Sequence, residues 1–355
     1  MKQMENGEKR RTENDMKRIP FRLIPAEKEN LWGGSHLKNE YGKQTEIRRL
    51  AETWECSTHP DGPSTAQGGV HDGESLPQIL REYPEYIGTR AVRRMGDRPG
   101  LPILVKLIDA TENLSVQVHP DDAYALEHEH SFGKTEMWYI LRAEPGAKIV
   151  YGFQRDVTRE ELRRAAEDGT IEELLNHIYV KPGEVYFIPA GQVHAIGAGI
   201  VLAEVQESSN LTYRLYDYHR VDRNGKPREL HVEKGLQVAD LRRQESAAAH
   251  LPLECEYFRV KKHSPRSVLE LPNDDGSFHV LLCINGKGRL LSEEISVTFE
   301  KGSTIFVPAG CGNLRLERVP AESSEGVSEG VSEEVSEGPA EALSDGTFEV
   351  LDISV

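Results

Sequence analysis

The string Gly183-Glu-Val-Tyr-Phe-Ile-Pro189-Ala-Gly191-Gln-Val-His194 recurs as Gly302-Ser-Thr-Ile-Phe-Val-Pro308-Ala-Gly310-Cys-Gly-Asn313, with glycine, proline, glycine and a terminal polar residue at the same spacing. Agreement at so many fixed positions implies two copies of one structural unit. Its physical reading is a turn glycine, a buried strand, a Pro-Ala-Gly turn, and then a polar side chain aimed back inward. The second copy carries Asn where the first carries His, so any chemistry needing an imidazole belongs to the first. A chain of 355 residues is long enough for two such units to pack together.

The text around the repeat is strand-like. PILVKLI, LSVQVH, EMWYILR, KIVYGF, EVYFIP and IVLAEVQ, then FHVLLCI, ISVTFE and STIFVP, are short runs rich in Val, Ile, Tyr and Phe, bounded by Gly, Pro and Asp. Their close spacing favours antiparallel sandwiches or barrels over βαβ units. Thr158-Arg-Glu-Glu161 and Thr170-Ile-Glu-Glu173 are S/T-x-x-E capping boxes, each opening an amphipathic run, and predict two short helices over 157–178 inserted between strands. A third helix is expected around Asp121 to His128.

Charge bears on partners. The net charge of −16 argues against a nucleic-acid binder. Residues 321–346 hold seven Glu and one Asp with no Lys or Arg, half of that excess, in an S-E-G-V repeat too poor in apolar side chains to offset its ordering entropy. This tract reads as a disordered acidic loop, and the polar residues 1–19 as a segment that does not pack. No window approaches 18 uninterrupted apolar residues, so no membrane span is expected. The start lacks the apolar stretch of a secretory signal, and the four cysteines form no C-x-x-C pair. A cytoplasmic, reducing location is the expectation.

The G-x5-P-x-G-x2-H string resembles the second conserved motif of cupin barrels. With LWGGSHL (31–37), ETWECSTHPDGPS (52–64), LPILVKLIDATENLSVQVHPDDAYA (101–125), GKTEMWYIL (133–141), IPAGQVHAIG (188–197) and EVQESSNLTYRLYDYHR (204–220) in order, the chain resembles the class I mannose-6-phosphate isomerases, in their short bacterial form. The resemblance covers most of residues 20–245 and is looser beyond. It implies a mainly β fold of two cupin-type jelly-roll barrels: a metal-binding catalytic unit over 20–245 with a small helical insertion around 155–180, and a second barrel over 246–355 without metal ligands. It implies interconversion of mannose 6-phosphate and fructose 6-phosphate through a cis-enediol, with a sugar phosphate as partner and a monomer or small homo-oligomer as the assembly. A non-catalytic sugar-phosphate-binding cupin is the alternative. The acidic tract is foreign to the family pattern.

The residues themselves support a metal. Ser115, Gln117 and His119 alternate along LSVQVHP and share one strand face, with Leu114, Val116 and Val118 on the other. Gln117, His119, Glu136 and His194 make a nitrogen and oxygen donor set without thiolate, which suits Zn²⁺ and tolerates Mn²⁺ or Fe²⁺. In the family these four positions are the zinc ligands. An aldose–ketose conversion needs a Lewis acid, a proton-shuttling group and a cation for the developing enediolate. The resemblance places Arg214, Lys134 and Glu204 at active-site positions. Arg214 is the electrostatic residue, while Lys134 and Glu204 handle the proton or orient the substrate; His59 also stands within reach. Lys106, alone in ILVKLI, must meet an anion. That anion is a carboxylate such as Asp109 or Glu136, or, as the family implies, the substrate phosphate together with Ser115, with Arg220 a further candidate. Trp32 lines the pocket mouth or belongs to the core.

Overall fold

Strands carry most of the regular structure in the computed structural model, which describes residues 18–96, 98–221, 225–245, 248–292, 295–320 and 347–355. The polar start and the acidic tract 321–346, read from sequence as unpacked, lie outside the described residues, apart from 18 and 19.

In the first half, Val185–Ile188, Glu136–Ala143, Ile200–Glu207 and Ile103–Ala110 lie side by side, extended at one edge by Ala26–Gly34 and Leu50–Cys56. Facing them are Tyr213–Tyr216, Val116–Val118, His194–Ile196, Lys148–Phe153 and Leu175–Tyr179. The second half repeats this order: Thr304–Val307, His279–Asn285, Glu349–Ser354 and Arg259–His263 in one sheet, Val268–Asn273, Gly312–Arg318, Lys287–Leu291 and Ser296–Glu300 in the other. The repeated string thus occupies equivalent strands in the two halves.

The sheets do not close into the expected barrels. The large sheets are lengthened by strands added at their edges, where closure would have to occur. In the first half these are Ala26–Gly34 and Leu50–Cys56, and in the second Phe21–Ile24 and Thr65–Gln67. Each half is instead a pair of stacked sheets over its own core, Trp138, Ile140, Leu202 and Ile149 in one and Leu281, Leu290, Phe299 and Phe348 in the other. The backs of the two large sheets meet across a further core that includes Leu107, Met137, Val280, Phe306 and Leu351. Phe21–Ile24 pairs with Thr304–Val307, so the start of the chain builds the C-terminal sheet across the division drawn at 245.

Between strands Lys148–Phe153 and Leu175–Tyr179, one α-helix forms where two were expected. Thr158 and Glu161 make a complete capping box for Arg159–Asp168, which ends at Gly169 with φ of 74°. The second box does not form: Thr170 makes no side-chain cap, Ile171–Glu173 is a single 3₁₀ turn, and Leu175–Tyr179 is strand. Burial of Ile171, Leu174 and Leu175 draws the chain back onto the sheet before a helix can propagate. The third expected helix is present as Asp122–Glu129, with the Asp121 carboxylate accepting the Tyr124 N–H at 2.8 Å. Among the described residues no helix is long and apolar enough to cross a membrane.

Candidate active site and metal centre

Two rows of cross-strand neighbours build the site. On the smaller sheet, Val116–Val118 runs between His194–Ile196 and Tyr213–Tyr216, and register sets Gln117 opposite both His194 and Arg214. On the larger sheet Glu204 lies opposite both Lys106 and Trp138, and Gln206 opposite Glu136. The outward Val116 and Val118 are buried with Leu162 and Leu236, residues of the helices outside the sheet. Leu114 departs from the expected alternation and joins the inner core, because it precedes the three-residue strand and is not yet held by its pleat.

His119, Glu136 and His194 are buried, and a ligand atom from each lies within 4.8 Å of the others. His194 Nε2 is 3.4 Å from Glu136 Oε1 and His119 Nε2 is 3.7 Å from Glu136 Oε2. Gln117 Nε2 lies 3.3 Å from His194 Nε2, which brings the fourth expected ligand to the group. His194 Nδ1 faces the Gln192 carbonyl at 2.9 Å, which fixes the ring and turns Nε2 inward. Burial pushes both imidazoles down, His119 well below its ordinary value and His194 to about 4, so both are neutral, as metal ligation requires. Burial also pushes the Glu136 carboxyl up, helped by Glu204. Glu136 Oε1 has no hydrogen-bond partner. A buried, unsatisfied carboxylate oxygen beside two neutral imidazoles fits a divalent cation.

Lys134 adjoins this group. Its ammonium contacts Glu136 Oε2, lies 3.1 Å from His119 Nε2 and stands 3.8 Å from Glu204. Glu204 accepts the Trp138 indole N–H at 3.0 Å and pairs with Lys106 at 3.1 Å. Burial alone would raise its pKa, but Lys106 and Lys134 outweigh burial and hold it low. The anion expected for Lys106 is therefore Glu204, with Glu52 at 3.6 Å. Asp109 is taken up by His36, at 3.0 Å from its Nδ1.

A cleft of about 190 Å³ opens between the sheets. Trp32, Lys106, Ser115, Gln117, Lys134, Glu204 and Arg214 line it, so seven residues singled out from sequence meet at one place. Arg214 Nε lies 3.3 Å from Ser115 Oγ. Arg220 is not among the lining residues; its guanidinium goes to Asp217 and to the Asn113 carbonyl. His59 packs edge-on against Trp54 and is not a lining residue either. Asn30, Glu52, Asn210, Thr212 and Arg228 also line the cleft and were missed. Asn210 and Thr212 lie inside EVQESSNLTYRLYDYHR and could have been read from it; Arg228 carried no local signal.

Stacked antiparallel sheets holding a buried His–Glu–His group beside a charged cleft define a cupin-type protein with a candidate metal site. A sequence profile for the phosphomannose isomerase type I catalytic domain matches residues 20–136, and one for the mannose-6-phosphate isomerase cupin domain matches 248–318. The mannose-6-phosphate isomerase ManA of Bacillus subtilis is 37% identical over 310 residues, covering 84% of this chain and 96% of its own. That of Streptococcus mutans is 41% identical over 298 residues, covering 81% and 92%. The chain belongs to the mannose-6-phosphate isomerase family. The crystal structure of a Bacillus subtilis mannose 6-phosphate isomerase matches with a TM-score of 0.78 at 30% identity, covering 95% of this chain and 99% of that one. A zinc-bound mannose 6-phosphate isomerase structure, 16% identical with a TM-score of 0.68 and covering 94% and 98%, shares the fold.

Proposed function

We propose that the cleft between the sheets is where this chain interconverts mannose 6-phosphate and fructose 6-phosphate, with one zinc ion held by Gln117, His119, Glu136 and His194. The observation that carries this reading is the buried His119–Glu136–His194 group next to the cleft. A bound divalent ion supplies Lewis acidity toward the carbonyl and hydroxyl oxygens of the sugar. The repeated strand order supports a duplicated cupin unit that keeps its ligands only in the first copy, since Asn313, the counterpart of His194, is exposed.

The remaining work falls to side chains. Arg214, beside Ser115 and opposite Gln117 in register, stabilises the negative charge that develops on the enediol oxygens. Lys134 and Glu204, 3.8 Å apart, handle the proton that moves between adjacent carbons: the ionised Glu204 carboxylate can accept it and the Lys134 ammonium can return one, the pair then re-equilibrating between themselves. Lys106, committed to Glu204 and Glu52, fixes the charge of Glu204 instead of waiting for an anion of its own. Trp32 and Ser115 bound the sugar. The comparisons give the non-catalytic alternative no support.

A coupled assay of fructose 6-phosphate isomerisation tests the reading. Chelator-treated protein should lose activity and regain it with added zinc, and Arg214→Met should lower kcat by about 10²–10³-fold at unchanged zinc content. Full activity in metal-free protein would sink the proposal.

A further inference from the structure

Charge is shared unevenly across the cleft. On the wall formed by the larger sheet, two ammoniums, Lys106 and Lys134, stand among three carboxylates, Glu52, Glu136 and Glu204. On the opposite side the guanidiniums of Arg220 and Arg228 both bond Asp217, and Arg214 stands next to them. Among the described residues Arg214 pairs with no carboxylate; it bonds Ser115 Oγ and the Glu229 carbonyl. Three guanidiniums share one buried carboxylate, with the exposed Glu229 the other acid near Arg214, so positive charge is in excess on this side, as a phosphate ester would need.

The arginines divide their work. Arg220 bonds Asp217 Oδ1 and the carbonyls of Asn113 and Asp217, away from the cleft. Arg228 presents a fork to Asp217, Nε to Oδ2 at 2.7 Å and a terminal nitrogen to Oδ1 at 2.5 Å, yet lines the cleft with Arg214 and is 28% exposed. Asp217 is 5% exposed, so it anchors Arg228 from beneath. A guanidinium held by a buried carboxylate pays little ordering entropy when it meets a phosphate, and its remaining N–H donors suit phosphate oxygens.

We propose that Arg228, oriented by Asp217 and set beside Arg214, recognises the phosphate group of the substrate, the role the sequence had suggested for Lys106 and Arg220. This rests on the isomerase reading above. Arg214 lies nearer the metal end through Ser115, which is 3.4 Å from Gln117, and Arg228 holds the far end of the sugar phosphate. Asp217 is a positioning residue; it acts through Arg228.

Steady-state kinetics with zinc-loaded protein test the assignment. Arg228→Met should raise KM for mannose 6-phosphate about tenfold to a hundredfold, the range for losing a charge-assisted hydrogen-bonding partner, with a smaller fall in kcat. The inhibition constant of inorganic phosphate should rise in parallel, and Arg228→Lys should recover part of both. Arg289→Gln, the same charge loss in the distant C-terminal sheet, should change neither. Unchanged KM and phosphate inhibition in Arg228→Met would overturn the assignment, as would an effect confined to thermal stability. Calorimetric titration with inorganic phosphate reads the site without turnover. An inactive wild type that binds phosphate through Arg228 would therefore sink the isomerase reading and leave this one standing.

Discussion

At the scale of single residues, the site is a set of buried polar groups, some satisfied by one another and some, such as Glu136 Oε1 and His119 Nδ1, left without a hydrogen-bond partner. Trp138 is a clear case of the first: a core indole whose N–H is spent on Glu204. Trp138→Phe keeps an aromatic ring but removes that donor and part of the indole's volume, so kcat should fall about two- to tenfold at unchanged zinc content, with some loss of stability from the void; rate measurements beside metal analysis and thermal denaturation check it. His194→Ala removes a buried imidazole and should leave well under one equivalent of zinc by mass spectrometry. The Ser115-Gln117-His119 alternation was legible in sequence, because a strand has period two. The Glu204–Lys106 pair was not. It depends on which residues of two strands nearly a hundred positions apart come into register, and nothing local encodes that.

At the scale of elements, the repeat shows what its glycines are for. Gly183 and Gly302 both have positive φ, 88° and 85°, but their surroundings differ. A Cβ on Gly183 would meet nothing within 4 Å, whereas one on Gly302 would stand 2.0 Å from the Tyr41 carbonyl oxygen. Gly183→Ala should therefore cost only the backbone strain of about 1–2 kcal/mol, and Gly302→Ala clearly more; urea midpoints of the two variants decide it. A second element carries a pH signature. Asp352, on Glu349–Ser354, sits between His279 Nδ1 at 2.6 Å and His263 Nε2 at 3.0 Å, with Arg259 close by. Burial would raise its pKa, but the two histidine hydrogen bonds outweigh burial and hold it well below the usual carboxylate range. The unfolded chain therefore takes up this proton first on acidification, so the stabilisation is complete above about pH 4 and drains away below it. Calorimetric Tm against pH should show a steeper acid loss in the parent than in Asp352→Asn. The capping boxes teach the limit of local signals: Thr158 has an open solvent-facing turn in which to start a helix, while the segment after Thr170 is claimed by buried Ile171 and Leu174.

At the scale of the whole molecule, the layers run from outer helices through the smaller sheet that carries Gln117 and His194 to two large sheets back to back, and then to the last small sheet. A buried ion pair ties the halves together. Lys43 Nζ lies 2.6 Å from Glu55 Oε1 and donates to the Gly302 carbonyl, while Thr53 and Thr304 donate to the Glu55 carboxylate. Lys43→Met should cost about 3–5 kcal/mol by stranding a buried carboxylate. Lys43→Met with Glu55→Gln should recover part of that in thermal denaturation, since the stranded charge is gone. The repeat alone announced two β units, and the spaced His, Glu and Gln residues announced a candidate metal site, because strand alternation and donor chemistry are local properties. Only the tertiary structure decided that the sheets stay open, that Lys106 belongs to Glu204, and that Arg228 lines the cleft while Arg220 does not. Those outcomes depend on edge strands, register and packing between segments far apart in the chain, where a one-residue slip would turn every side chain to the other face.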